Sequence, residues 1–97
     1  MKTIYKYPLD VRQIRDDNTL DITLPANARI LHVAEQQGGL CLWALIDLDE
    51  TASDTVHLAV QGTGHRFEEA GTHLGSALLH HGTLVLHVFL LGTEPTV

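Results

Sequence analysis

The feature that most constrains this chain is a two-residue alternation that recurs between turn signals. In Thr19-Leu20-Asp21-Ile22-Thr23-Leu24 the apolar residues hold the even positions and the polar ones the odd. That is the period of a strand with one face on a core and the other in solvent. Thr55 to Gln61 repeats the pattern and sets His57 on the face opposite Val56 and Val60. Near the start, Tyr5 and Tyr7 share one face and Ile4 and Lys6 the other, while Pro8 suits an edge strand or a bulge because it cannot donate to a ladder. Asp16-Asp17-Asn18 supplies a turn into the second strand. Helix signals are weak: Arg66 to Ala70 has room for a single turn between Gly64 and Gly71. These signals predict an all-β fold, a small antiparallel β-sandwich or barrel of about seven strands, in one domain over residues 1–97.

Two hairpins can be drawn. Gly38-Gly39 suits a two-residue turn that needs positive φ at both positions. It sets Val33 opposite Ala44 and Leu31 opposite Ile46, and groups His32, Ala34, Trp43 and Leu45 on the other face. A turn at His81-Gly82 sets Leu78 opposite Val85, Ser76 opposite His87 and Leu74 opposite Phe89. Residues 84–91 are apolar on both faces apart from His87, as expected of a strand at the centre of a sandwich or covered by a second subunit. For so short a chain, a homodimer formed through a sheet face is one expectation.

Composition narrows the function by exclusion. The formal charge of −6 is uneven. Residues 1–29 carry five Lys and Arg against four Asp, a net +1, whereas the remainder has only Arg66 against eight acids, a net −7. Such a surface repels phosphate backbones, so no direct nucleic-acid binding is expected; a basic protein partner is compatible with it. No segment reaches the roughly 20 apolar residues of a membrane span. Met1 to Lys6 lacks the apolar run of a secretory signal, and the lone Cys41 excludes an internal disulfide and a cysteine-based zinc site. A cytoplasmic protein is the expectation.

The chemistry-bearing candidates cluster late in the chain. Gly62-Thr63-Gly64-His65 has backbone amides able to cradle an anion and an imidazole able to move a proton, but it lacks a phosphate-loop lysine and reads first as a tight turn. With His73 these residues form the candidate ligand-binding set. His57, His65, His73 and His87 form the candidate metal set, with Glu68 and Glu69 in the same loop as His65 and His73. No pair of histidines is spaced to fall on one face of a strand in the usual ligand pattern. Cys41, within Leu40-Cys41-Leu42-Trp43, reads as a buried and inert thiol. Ser76 facing His87 has no acid to orient the imidazole. Trp43, Tyr5, Tyr7 and Phe89 read as core and interface aromatics. No catalytic residue and no cofactor is assigned.

Several blocks in order carry a family resemblance. They are Lys2-Thr3-Ile4-Tyr5-Lys6-Tyr7-Pro8-Leu9, Leu24 to Val33, Leu40 to Asp47, Gly62 to His65, His73-Leu74-Gly75 and Leu84 to Phe89. Together they resemble a family of small uncharacterised proteins encoded by bacteriophages and prophages. The resemblance implies a short β-rich accessory protein that acts in an infected bacterium and binds a host component; it assigns no catalytic or ligand residue. The leading expectation is therefore a non-enzymatic binding module that modulates or inhibits a host or defence protein. The alternative is a small-molecule, nucleotide or metal site around His65 and His73, in a ligand-sequestering protein or a minor hydrolase. A minor virion component is a third class.

Overall fold

A computed structural model describes residues 1–68 and 70–96. The alternating segments are strands, and their apolar positions turn inward: Leu20 and Leu24, then Val56, Leu58 and Val60, are all buried. Seven strands form: β1 (Lys2–Leu9), β2 (Thr19–Pro25), β3 (Arg29–Gln36), β4 (Gly39–Asp47), β5 (Ser53–Gly62), β6 (Thr72–Leu79) and β7 (Leu84–Pro95). They make a three-stranded sheet in the order β1-β4-β3 and a four-stranded sheet in the order β2-β5-β7-β6, with antiparallel pairing throughout. The core lies between the sheets, with Leu40, Leu42, Ala44 and Ile46 from β4 meeting Val56, Leu58, Val60 and Val88. Pro8 sits on an edge strand, the place in a sheet that tolerates a residue without an N–H. No helix among the described residues is long and apolar enough to cross a membrane.

The hairpins correct the sequence reading in two places. The first turn is at Gln37-Gly38, not Gly38-Gly39, and pairs Gln36 with Gly39 and Val33 with Leu42. Gln37 takes φ 53 and Gly38 φ 85, so a non-glycine residue occupies the first left-handed position. The resulting displacement is two residues, which preserves the faces from His32 to Gln36; a bulge between Ile30 and His32 then turns Ile30 to the core and leaves Leu31, expected opposite Ile46, exposed. His32 therefore still meets Trp43 on the outer side, their ring centroids 5.8 Å apart. The second turn, closed by the Thr83 N–H donating to the His80 carbonyl, gives the expected pairs Leu78 with Val85 and Ser76 with His87. Phe89, however, pairs with His73 rather than Leu74, because the register shifts between His73 and Gly75. This bulge turns Leu74 toward the core and His73 outward. Gly75 then runs against β3, where a β-carbon would stand 3.0 Å from the Val33 carbonyl oxygen. The absence of a side chain there lets the two sheets close at this corner.

The single helical turn considered over Arg66 to Ala70 does not form in the described residues; a short 3-10 turn is found instead at Val11–Gln13, capped by the Asp10 carboxylate accepting from the Arg12 N–H. Glu69 lies outside the described residues. The both-sided apolarity of 84–91 also has a local cause. β7 is an inner strand, its Leu86, Val88 and Leu90 facing the core. On its other side Phe89 is met by Phe67 from the chain's own β5–β6 loop, ring centroids 5.8 Å apart.

Candidate functional site

The outer face of the four-stranded sheet carries two imidazole centres. Ladder register sets Asp21, His57, Gln61, Ser76, His87 and Phe89 on that face, because each is one residue out of phase with a buried neighbour. The β5–β6 loop begins with a turn at Gly62-Thr63-Gly64-His65, in which the His65 N–H donates to the Gly62 carbonyl at 3.1 Å. Gly64 has φ 87, the left-handed value that the third position of a type II turn requires. The turn reading of this motif therefore holds. The His65 imidazole folds back onto Gly62, and a β-carbon at 62 would come within 2.9 Å of the ring. Glycine at 62 is what allows the ring to lie there.

Downstream of the turn the loop crosses the sheet and seats Phe67 on Phe89, whose other neighbour is the His73 ring at 5.2 Å, edge to face. Phe67 and Phe89 line an open pocket of about 220 Å³, with Gln61 and His87 from the sheet and Thr63 and His65 from the loop. Beside it runs a polar chain. The Thr63 hydroxyl lies 2.8 Å from His87 Nε2, the Ser76 hydroxyl 2.7 Å from His87 Nδ1, and His73 Nε2 3.1 Å from the same Ser76 oxygen. A serine hydroxyl has one proton, so it donates to one imidazole and accepts from the other. Two proton orders satisfy the chain, running from Thr63 toward His73 or the reverse. In both, every atom named is matched.

The second centre lies four residues away along β5, about 13 Å at a strand's rise per residue. His57 Nδ1 stands 2.8 Å from Asp21 Oδ1, and His57 Nε2 stands 2.8 Å from Glu94 Oε1. Both ring nitrogens face carboxylates, and only the imidazolium has two N–H donors to offer. Accordingly the His57 pKa is raised, first by Asp21 and then by Glu94. Asp21 is held below the ordinary carboxylate range, first by Arg15, whose guanidinium nitrogen donates to it at 2.7 Å, and then by His57.

This arrangement sorts the expected residues. Gly62, Thr63, Gly64, His65 and His87 line the one pocket, and His73 flanks it through Phe89 and Ser76. His57, the fourth member of the metal set, is not with them; it is held between two carboxylates at the other end of the sheet. Among the described residues no group of three or more His, Cys, Asp or Glu side chains is placed to hold a metal ion, and Glu69 lies outside that description. Cys41 is buried, as expected. The parts of a serine–histidine–acid relay are divided between the two centres. Ser76 meets His87, whose other partner is a hydroxyl, while the carboxylates surround His57, which meets no hydroxyl. A threonine hydroxyl cannot balance an imidazolium as a carboxylate does.

Sequence reasoning missed Gln61, Phe67, Asp21 and Glu94. Phe67 had a readable signal, as a large aromatic alone in a polar loop, whereas the carboxylates come to His57 only through strand pairing. A larger cleft of about 310 Å³ opens between the sheets beside Ile30, Leu74 and Leu90, with mostly aliphatic walls and none of the singled-out residues. No curated protein and no solved structure is significantly similar to this chain. The match that does exist is to a family model spanning residues 1–96, and by it the chain belongs to the family described as a domain of unknown function, DUF7352.

Proposed function

We propose that this chain is a non-enzymatic binding module that docks a partner protein on the outer face of its four-stranded sheet, at the pocket between Phe67, Phe89 and the Gly62–His65 turn. The observation that carries this reading is Phe67 itself. It remains 43% exposed while packing on Phe89, so an aromatic pair stands at the surface beside donors and acceptors already matched among themselves. Exposed aromatics on a fixed scaffold, ringed by polar groups, are the usual anchors of protein interfaces. In the setting that the sequence resemblance implies, the chain is a phage-encoded accessory protein of the bacterial cytoplasm. Its partner there is a host or defence protein that it modulates or inhibits. The net charge of −6 favours a partner with a basic contact surface.

Affinity capture from lysate of infected host cells tests this, using the wild-type chain, Phe67→Ala, and a charge-matched control protein. A protein enriched by the wild type and lost with Phe67→Ala is the expected result. No enrichment over the control, or equal enrichment by the variant, would overturn it.

The same pocket supports a second reading as a small-ligand site, because its volume of about 220 Å³ admits one small ring. Thermal shift against a panel of neutral aromatic compounds and nucleosides separates the two, since a ligand that binds only the folded chain raises its melting temperature.

A further inference from the structure

Where the chain passes from one sheet to the other, between β2 and β3, the sandwich ends in an open cleft of about 310 Å³. Its walls are aliphatic, from Leu24, Ile30, Val56, Leu74 and Leu90. Its lip is polar. Strand register pairs Asp54 with Leu24 and Thr93 with Val56, and paired residues share a face. A carboxylate and a hydroxyl therefore occupy inward positions that apolar residues hold further along the same strands. Arg29, the first residue of β3, borders the same lip. The fold makes little use of these groups. Asp54 Oδ2 accepts from the Asn27 N–H at 3.3 Å and so holds the β2–β3 turn, while Oδ1 has no partner among the described residues. Arg29 makes no ion pair among the described residues, with Asp54 or with any other acid. An anion and a cation thus stand apart beside an apolar wall.

We infer that the cleft binds a free apolar α-amino acid, with its side chain against Leu24, Val56, Leu74 and Leu90, its α-ammonium on Asp54 and its α-carboxylate on Arg29. The inference goes beyond docking on the outer sheet face and does not rest on it. Charge selects the class of ligand. A simple carboxylic acid would satisfy Arg29 but lie against Asp54, and a simple amine would have the reverse conflict; a zwitterion answers both. A chain terminus of a protein carries only one of the two charges. The aliphatic walls add the requirement of an apolar arm, since covering them removes exposed hydrocarbon from water. The volume is at the small end of the range for small-molecule pockets, which suits one amino acid.

The test titrates the full chain with L-leucine and follows its backbone amide resonances. Saturable shifts are expected at residues 28–30 and 54–56 and at Leu74, Leu90 and Thr93, with Phe67 and Phe89 unmoved. N-acetyl-L-leucine has lost the cation and L-leucinamide the anion, and each should bind about tenfold more weakly, the scale of one hydrogen bond to a charged group. Glycine, which has both charges and no apolar arm, should give no saturable shift. Asp54→Asn keeps an oxygen for the Asn27 N–H and should lose the preference for L-leucine over N-acetyl-L-leucine. Arg29→Gln should lose the preference over L-leucinamide. The ligand series on the wild-type chain decides the assignment if a variant does not fold. Absence of saturable shifts with L-leucine, equal binding of either blocked compound or of glycine to the wild type, or tighter binding of octanoate or octylamine would each overturn it.

Discussion

His57 and His87 sit on adjacent strands of the same sheet and face the same side, yet their neighbours give them different work. Around His57 the partners are carboxylates, Asp21 on β2 and Glu94 on β7, so the imidazole ties three strands together as a cation. Around His87 the partners are hydroxyls, Thr63 in the loop and Ser76 on β6, so the imidazole passes hydrogen bonds along a chain of hydroxyls and rings. The first centre is an electrostatic clamp. The second is a fixed wall beside an aromatic pocket. The comparison teaches that an imidazole's role is set by what the strand pairing brings to its two nitrogens, which a count of seven histidines does not reveal.

If the two centres are separate devices, disturbing the loop that builds the second must leave the first alone. Gly71 is the place to try. It has φ 72, and a β-carbon there would run into the Leu90 carbonyl oxygen. Gly71→Ala is expected to cost about 1–3 kcal/mol, from strain at the left-handed position together with the clash. Urea unfolding measures the loss. Amide exchange should rise in residues 63–68, while the imidazole titration of His57 followed by NMR stays where it is in the wild type. A matching change at His57 would break the separation and make the sheet face a single coupled unit.

The clamp is expected to leave a pH signature. His57 has its folded pKa raised above the ordinary 6.5. Its stabilising contribution is therefore full below about pH 6.5 and is lost as pH rises through the raised value. Asp21 runs the other way: its pKa lies below the ordinary 3.8, so its contribution is present above that and lost as pH falls through the lowered value. Between the two, His57→Gln should melt lower than the wild type, and the gap should close as the buffer is taken from about pH 5.5 to pH 9. Melting curves of the two proteins across that range decide the matter. A gap that is constant, or that widens with pH, would mean that the imidazolium is not what joins the three strands.

Much of the scaffold under both centres was legible. The alternation in Thr19–Leu24 and Thr55–Gln61 correctly gave the inward residues, and with them the outward placement of Asp21 and His57. Pairing Ser76 with His87 needed only a tight turn at His81-Gly82. What sequence could not give were the bulges. The register shift between His73 and Gly75 turns His73 toward Phe89, and the one between His57 and Leu58 leaves Leu91 unpaired on β7 and brings Glu94 beside His57. Each is a one-residue event that alternation does not record. The path of the loop was equally hidden. Phe67 stood out as an aromatic in a polar stretch, but nothing in that stretch showed that it would return onto Phe89, one of the outward apolar residues of β7.

The mildest perturbation asks whether the chain of hydroxyls is a wall or a structural joint. Ser76 is exposed, and its oxygen is shared by His73 and His87. Ser76→Ala removes that oxygen without touching a charge, and both imidazoles can turn to water instead. The expected loss on urea unfolding is at or below about 1 kcal/mol, the low end for a hydrogen bond whose partners can be rehydrated. Ser76→Thr keeps the hydroxyl on a strand position that suits a β-branched residue, and should recover the wild-type value. A larger loss from Ser76→Ala, unrecovered by threonine, would mean that the serine is packed rather than bonded. The hydroxyl chain would then cease to be the feature that separates the His87 centre from the clamp at His57.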